Sequence, residues 1–192
     1  TSGYDHIAID VARSMGIAVG RAPQVRRDAV VEHAVAEMIT HLRRLDELNE
    51  HSLSGVWARG RLVDLQPRTL KGAVVTVVGF GVIGSRVTEV LRTLGAKVLI
   101  VDPVVDEAMA LEDAIVNADI VSLHCDLNQT SRMIFNAERL STLKRSAVLI
   151  NTARGGLVDI EAAVEAVNRG RIQGFSSDVF PQEPYGGLSA CA

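Results

Sequence analysis

From residue 72 onward the chain alternates short β-branched runs with stretches in which apolar residues recur every three or four positions, the pattern of βαβ units in a parallel sheet. Strands are expected at residues 74–78, 97–101, 120–123, 147–151 and 172–176, with helices at 82–94, 107–116, 137–142 and 160–169 between them. Gly95 and Gly170 follow helical patterns at places where a left-handed C-terminal cap is favoured. Upstream, Val30, Val31, Ala34, Val35, Met38, Ile39, Leu42, Leu45 and Leu48 recur with helical period, which predicts one long amphipathic helix over 28–49 with Asp28 at its start as a cap. On its polar face His33, Glu37 and His41 stand at four-residue steps, a spacing open to a metal ion but more simply a solvated face. Residues 51–68, with Gly55, Gly60 and Pro67, read as a connection in which Trp57 is a packing anchor. Residues 1–20 carry a glycine turn at Gly3, a short amphipathic turn and an apolar stretch at 17–19, too little to build a domain.

Composition narrows the class. With 192 residues, 47% of them hydrophobic and only 4% aromatic, the chain suits one α/β domain with a buried parallel sheet, or one domain plus part of another. A net charge of −3, with lysine and arginine spread along the sequence, excludes the focused positive field that holds a nucleic-acid backbone. Two cysteines, Cys125 and Cys191, give no disulfide framework, and neither a signal peptide nor a long apolar span is present, so the cytoplasm is the expected compartment and no membrane partner is expected.

The first strand runs into Gly79, Phe80, Gly81, Val82, Ile83 and Gly84, a G-x-G-x-x-G turn between strand and helix. In this context Gly79 permits the tight turn, Gly81 lets backbone approach a pyrophosphate, and Gly84 lets the helix sit against the strand; Val82 and Ile83 begin the helix whose free amides face the phosphates. Asp102 ends the next strand roughly twenty residues on, where a carboxylate accepts hydrogen bonds from ribose hydroxyls and repels a 2′-phosphate. NAD rather than NADP is the expected cofactor, against the plainer reading of Asp102 before Pro103 as a turn.

The segments TSGYDHIAID, VGFGVIGSRV, NADIVSLHCDLNQTSR, LINTARGGLVD and SSDVFPQEP together resemble the D-isomer-specific 2-hydroxyacid dehydrogenase family, in the family's order and over most of the chain. That family includes phosphoglycerate, glycerate, lactate and formate dehydrogenases and the C-terminal-binding-protein corepressors, to which LHCDLN and NTARGGLVD are similar. The resemblance implies a Rossmann NAD-binding domain over 21–192 and, in 1–20, the remnant and hinge of a second, flavodoxin-like substrate domain; 28–49 becomes an interdomain helix that packs between the protomers of a homodimer. It implies Arg154 as the catalytic guanidinium that anchors the substrate carboxylate, Ser2 and Gly3 as further substrate-carboxylate contacts, and Glu183 as the partner that orients a catalytic histidine. Thr152 and Ala153 would border the nicotinamide ring, Asp178 would hold its carboxamide, and His124 and Cys125 would wall the adenosine rim. Asp126 departs from the family pattern, which has proline there.

The histidine is expected ten to thirty residues beyond Glu183, so the chain is expected to be a piece that lacks it and is inactive alone. The function implied is hydride transfer between NAD(H) and a D-2-hydroxy or 2-keto acid, phosphoglycerate among the candidates. A corepressor-like module that binds NAD(H) without catalysis is the alternative, and retention of Arg154 with Glu183 favours chemistry.

Overall fold

The computed structural model describes residue 3 and residues 7–22, 24–106 and 108–183. Five strands, β1 (Val74–Val78), β2 (Lys97–Val101), β3 (Ile120–Leu123), β4 (Val148–Asn151) and β5 (Gly174–Ser177), form one parallel sheet in the order β2-β1-β3-β4-β5. The chain leaves β1 first towards β2 and then returns to the other side for β3, so the topological switch lies between β1 and β3. This is the doubly wound α/β architecture of dinucleotide-binding domains, in which ligands bind at the carboxyl ends of the strands beside the switch.

Alternation along the strands divides the core between the two faces. Val75, Val77, Ile120, Val148 and Ile150 pack with Val31, Ala34, Met38 and Leu42 of α2 (Arg27–Arg43) and with Val87 and Leu91 of α5 (Val82–Thr93). Val121, Leu123 and Leu149 point the other way, towards α6 (Leu111–Val116), α7 (Ala137–Thr142) and α8 (Ile160–Asn168). Both faces are covered, which is why the strands read as nearly continuous apolar runs. Thr76, a buried polar residue in β1, donates its hydroxyl to the carbonyl of Ala114 at 2.6 Å and so carries no unpaired group into the core. Side chains cap two of the helices: Asn136 accepts from the amide of Arg139 and Asp159 from that of Ala162, each worth about 1 kcal/mol.

The amino ends of the strands are tied by an ionic cluster. Asp119 accepts from the amide of Val74 at 2.8 Å and pairs with Arg68 at 3.3 Å and Lys144 at 3.2 Å. Arg68 also donates to the carbonyl of Ser146 and to Gln173, whose own amide reaches the carbonyl of His41.

The upstream region differs from the expectation. The helix α1 (Ile9–Ser14) comes first, and in place of one helix over 28–49 there are two, α2 and α3 (Leu45–Leu53), separated by Arg44 in the left-handed conformation at φ 57°. The break has a tertiary cause: the carbonyl of Leu42, which a continuous helix would use internally, accepts instead from the amide of Arg68 at 2.7 Å. Asp28 is not the cap of α2; it lies in the first turn and pairs with Arg27. Residues 51–68 contain the end of α3, a 3-10 turn at Ala58–Arg61 and α4 (Leu62–Leu65), and Trp57 is 77% exposed rather than an anchor. Helix α6 begins only at Leu111 because the amide of Met109 pairs with the carbonyl of Ile100 and keeps the preceding residues alongside β2.

Candidate dinucleotide and substrate site

Pairing across the sheet places Val101, Val78, Leu123, Asn151 and Ser177 in one register line. The next residue on each strand, in spatial order, is Asp102, Gly79, His124, Thr152 and Asp178, and these form the lip of the carboxyl edge. Four inter-strand spacings separate its ends, roughly 19 Å. Five residues singled out from sequence thus converge on one edge although they are spread over 100 positions of the chain, from Gly79 to Asp178.

At the switch, the three glycines of the turn are required for different reasons. Gly79 has φ +95°, and a Cβ on it would lie 2.5 Å from the amide nitrogen of Cys125. A Cβ on Gly84 would lie 1.9 Å from the carbonyl oxygen of Gly79, so helix and strand meet there with no room for a side chain. Gly81 has an ordinary extended backbone, φ −74° and ψ −158°, and nothing lies within 4 Å of where its Cβ would be. The protein fills the space at Gly79 and Gly84 and leaves it open over Gly81. Helix α5 starts from Gly81 with no side-chain cap, so its first amides face that opening, as a phosphate requires. The Asp102 carboxylate accepts from the amide of Phe80 at 2.7 Å and from that of Val104 at 3.0 Å, which fixes it against the turn with lone pairs still available. These residues fit the adenosine and pyrophosphate portion of NAD.

The backbone of His124 and Cys125 lies against Gly79 of the glycine turn. His124 exchanges a hydrogen bond with Ser122 at 2.8 Å through Nε2, while its buried Nδ1 has no partner among the described residues. Burial pushes its pKa down to about 4. Burial likewise pushes the Cys125 thiol up to about 11, which leaves it un-ionised and unsuited to nucleophilic work. Asp126 is exposed, and its carbonyl accepts from the hydroxyl of Ser131 at 2.7 Å. It borders, with Ile7, Val11, Leu127 and Arg132, an open cleft of about 910 Å³ between the upstream segment and the loop after β3.

After β4 the chain turns sharply. Asn151, fully buried, donates through its side chain to the carbonyl of Arg154 at 3.0 Å and accepts from the amide of Ala153 at 3.2 Å, holding the Thr152–Ala153–Arg154 turn at the lip. The Arg154 guanidinium reaches the carbonyl of Ala153 at 2.6 Å and lies against Gly3, where a Cβ would stand 1.6 Å from its terminal nitrogen. Gly3 thus lies against Arg154, while Ser2 lies outside the described residues. Gly155 packs on Phe180 and Pro181, where a Cβ would meet backbone at 2.0 Å, so the segment after β5 is seated on the Arg154 turn. Glu183 belongs to that segment and accepts from the amide of Phe180 at 3.0 Å.

The largest departure from expectation concerns the row His33, Glu37 and His41: Glu37 and His41 are half-buried against β5, while His33 at its end stays exposed. Helix α2 runs antiparallel to β5, and four helical residues rise about 6 Å while two strand residues rise about 6.6 Å, so the two elements step together. His41 meets Gly174, where a Cβ would fall 2.6 Å from the imidazole; Glu37 accepts from the hydroxyl of Ser176 at 2.5 Å; His33 Nε2 lies 3.8 Å from Asp178 and 4.0 Å from Glu37. Burial lowers the His41 pKa. Among the described residues no group of three or more such side chains is arranged to hold a metal ion. Neither this ladder nor the role of Asn151 was evident in the sequence; the four-residue spacing was a signal for the first, but its partner strand lies more than 130 positions away.

Comparison with known proteins agrees with this arrangement. A family model described as D-isomer specific 2-hydroxyacid dehydrogenase, NAD binding domain, matches residues 35–189. The chain is 34% identical to 2-hydroxyacid dehydrogenase A of Aspergillus oryzae over 95% of its own length and 54% of that protein's, and 36% identical to a glyoxylate reductase of Thermofilum pendens over 95% and 57%. Among solved structures, D-lactate dehydrogenase from Aquifex aeolicus, crystallised with NAD and lactic acid, superposes with a TM-score of 0.88 at 32% identity, covering 95% of this chain and 56% of that one. The chain thus spans about half the length of the relatives it matches.

Proposed function

Because the chain belongs to the D-isomer-specific 2-hydroxyacid dehydrogenases and carries their NAD-binding domain, we propose that it serves an NAD-dependent oxidoreductase that interconverts a D-2-hydroxy acid and its 2-keto acid. The observation that carries this reading is the lip of the sheet, where Asp102, the glycine turn, Thr152 and Asp178 follow one another along roughly 19 Å. Asp102 would take the adenosine ribose, the amides at Gly81 to Ile83 the pyrophosphate, and Thr152, Ala153 and Asp178 the nicotinamide end. Bound NAD supplies the hydride acceptor.

The residues of the chain then have distinct tasks. Arg154, held from behind by Asn151 and flanked by Gly3, would pair with the substrate carboxylate through two parallel bonds and polarise the carbonyl in the reverse reaction. Ser2 is assigned to the same carboxylate. Glu183 would orient the acid–base histidine that the resemblance implies further along the chain, raising its pKa so that it exchanges a proton as the alcohol becomes a ketone. We keep phosphoglycerate as a candidate substrate beside simpler 2-keto acids. Residues 1–20 are read as part of the substrate domain and hinge.

A homodimer is supported by the segment after α2, where Leu53, Trp57 and Val63 are 89%, 77% and 80% exposed and offer an apolar, aromatic surface suited to a second copy. Among the described residues no helix is long and apolar enough to cross a membrane; the free thiol of Cys125 suits the reducing cytoplasm in which we place the protein. The test is to titrate the full-length protein with NADH and NADPH by fluorescence and to follow NADH oxidation with glyoxylate, pyruvate and phosphohydroxypyruvate. Tight NADH binding, weak NADPH binding and turnover of at least one keto acid are expected. Binding without turnover of any keto acid, or preference for NADPH, would refute the proposal.

A further inference from the structure

We infer that His33 is a positioning residue for Asp178 and that its charge sets the preference of the site for oxidised over reduced nicotinamide; the inference rests on the reading above, which gives Asp178 the nicotinamide end. The imidazole stands between two carboxylates, with Nε2 at 4.0 Å from Glu37 and 3.8 Å from Asp178. Glu37 is fixed by its bond to Ser176, and the matched steps of α2 and β5 carry His33 to the last position of the ladder, at the lip. A protonated His33 gives Asp178 a counter-charge and holds its carboxylate towards α2. A neutral His33 leaves the negative charge of Asp178 unopposed at the lip.

The two cofactor forms respond differently to that charge. The oxidised nicotinamide ring is cationic and the reduced ring neutral, so an unopposed carboxylate nearby favours the oxidised form and a neutralised one does not. A positive charge at position 33 and binding of the oxidised cofactor therefore oppose each other. The other charged groups near His33 do not obscure the effect. Helix α5, packed on α2, contributes Arg86 and Glu89, which pair with each other at 2.6 Å; Arg27 and Asp28 at the start of α2 pair at 2.9 Å. Strand β4 contributes no titratable side chain, and among the described residues of β5 and its end Asp178 is the carboxylate that pairs with His33.

The measurement is the ratio of dissociation constants, NADH over NAD, for the full-length protein and for variants that fix the charge at position 33. Because the His33 and Asp178 side chains are 44% and 46% exposed, screening keeps the change modest, and the ratio should be about three-fold lower in His33→Lys, with its permanent charge, than in the neutral His33→Gln. Asp178→Asn should give a low ratio whatever stands at position 33. Equal ratios in His33→Gln and His33→Lys overturn the inference while leaving the dehydrogenase reading intact. Failure of both cofactor forms to bind overturns that reading and the inference with it.

Discussion

The glycine turn allows stability and ligand binding to be separated by single methyl groups. Gly81 has a backbone conformation open to any residue and no atom within 4 Å of the Cβ position. Gly81→Ala should therefore stabilise the free protein by about 0.4–1 kcal/mol through the lost entropy of the unfolded chain, raising Tm by roughly 1–4 °C. The same methyl group would occupy the opening into which a pyrophosphate must come. Crowding of this kind costs about 1–3 kcal/mol, so NADH should bind between about 5-fold and 150-fold more weakly. Gly84→Ala should do the reverse. Its Cβ would lie 1.9 Å from a backbone oxygen, which no rotamer relieves, so helix α5 must shift, at a cost of about 1–3 kcal/mol or more in folding. Thermal melts of the ligand-free variants and fluorescence titration with NADH make the two readings independently. A Gly81→Ala protein that binds NADH like the wild type would show that the phosphates do not pass over Gly81. A Gly84→Ala protein as stable as the wild type would refute the close-packing argument.

Three further outcomes are expected. Asp119→Ala leaves the amide of Val74 and the charges of Arg68 and Lys144 without their partner, and since Asp119 is only partly exposed the cost should be about 2 kcal/mol, read as a Tm lower by roughly 4–8 °C. His124 is held neutral, with a folded pKa of about 4 below its ordinary 6.5, so its contribution to stability is present above pH 6.5 and lost as pH falls towards 4, by no more than about 3 kcal/mol. Denaturant unfolding of His124→Gln across that window should show a flatter slope, with a residue from His41, whose pKa burial also lowers. Trp57→Ala should shift the protein from dimer to monomer in light scattering at micromolar concentration, and an unchanged mass would remove the α3–α4 segment as the interface.

The parts that sequence made legible are those governed by local chemistry. Strand β1 and the turn behind it were readable because a β-branched run, three glycines and an apolar helix each state their own conformation within a dozen residues. The lip followed from the strand ends. What escaped was decided by contacts distant in sequence. Nothing local marks Arg44 for a left-handed conformation; the amide of Arg68, twenty-four positions on, takes the carbonyl that would have continued the helix. The polar face of α2 looked solvated because its partners on β5 are written more than 130 positions later, and there the glycine at 174 that admits His41 reads simply as a weak strand residue. Trp57 misled for a different reason: an aromatic residue reads as buried, yet this one is 77% exposed.

The ionic cluster around Asp119 and the lip lie at opposite ends of the same strands, separated by about 13–17 Å of sheet. Perturbations at that separation add rather than interact. A chain weakened at Asp119 should thus melt earlier yet gain the same increment of stability from a given excess of NADH as the wild type. The amino edge becomes a gain control: lowering the baseline there brings the ligand-dependent part of the melting curve into a convenient range, so that small differences among variants of the lip can be ranked by heating alone.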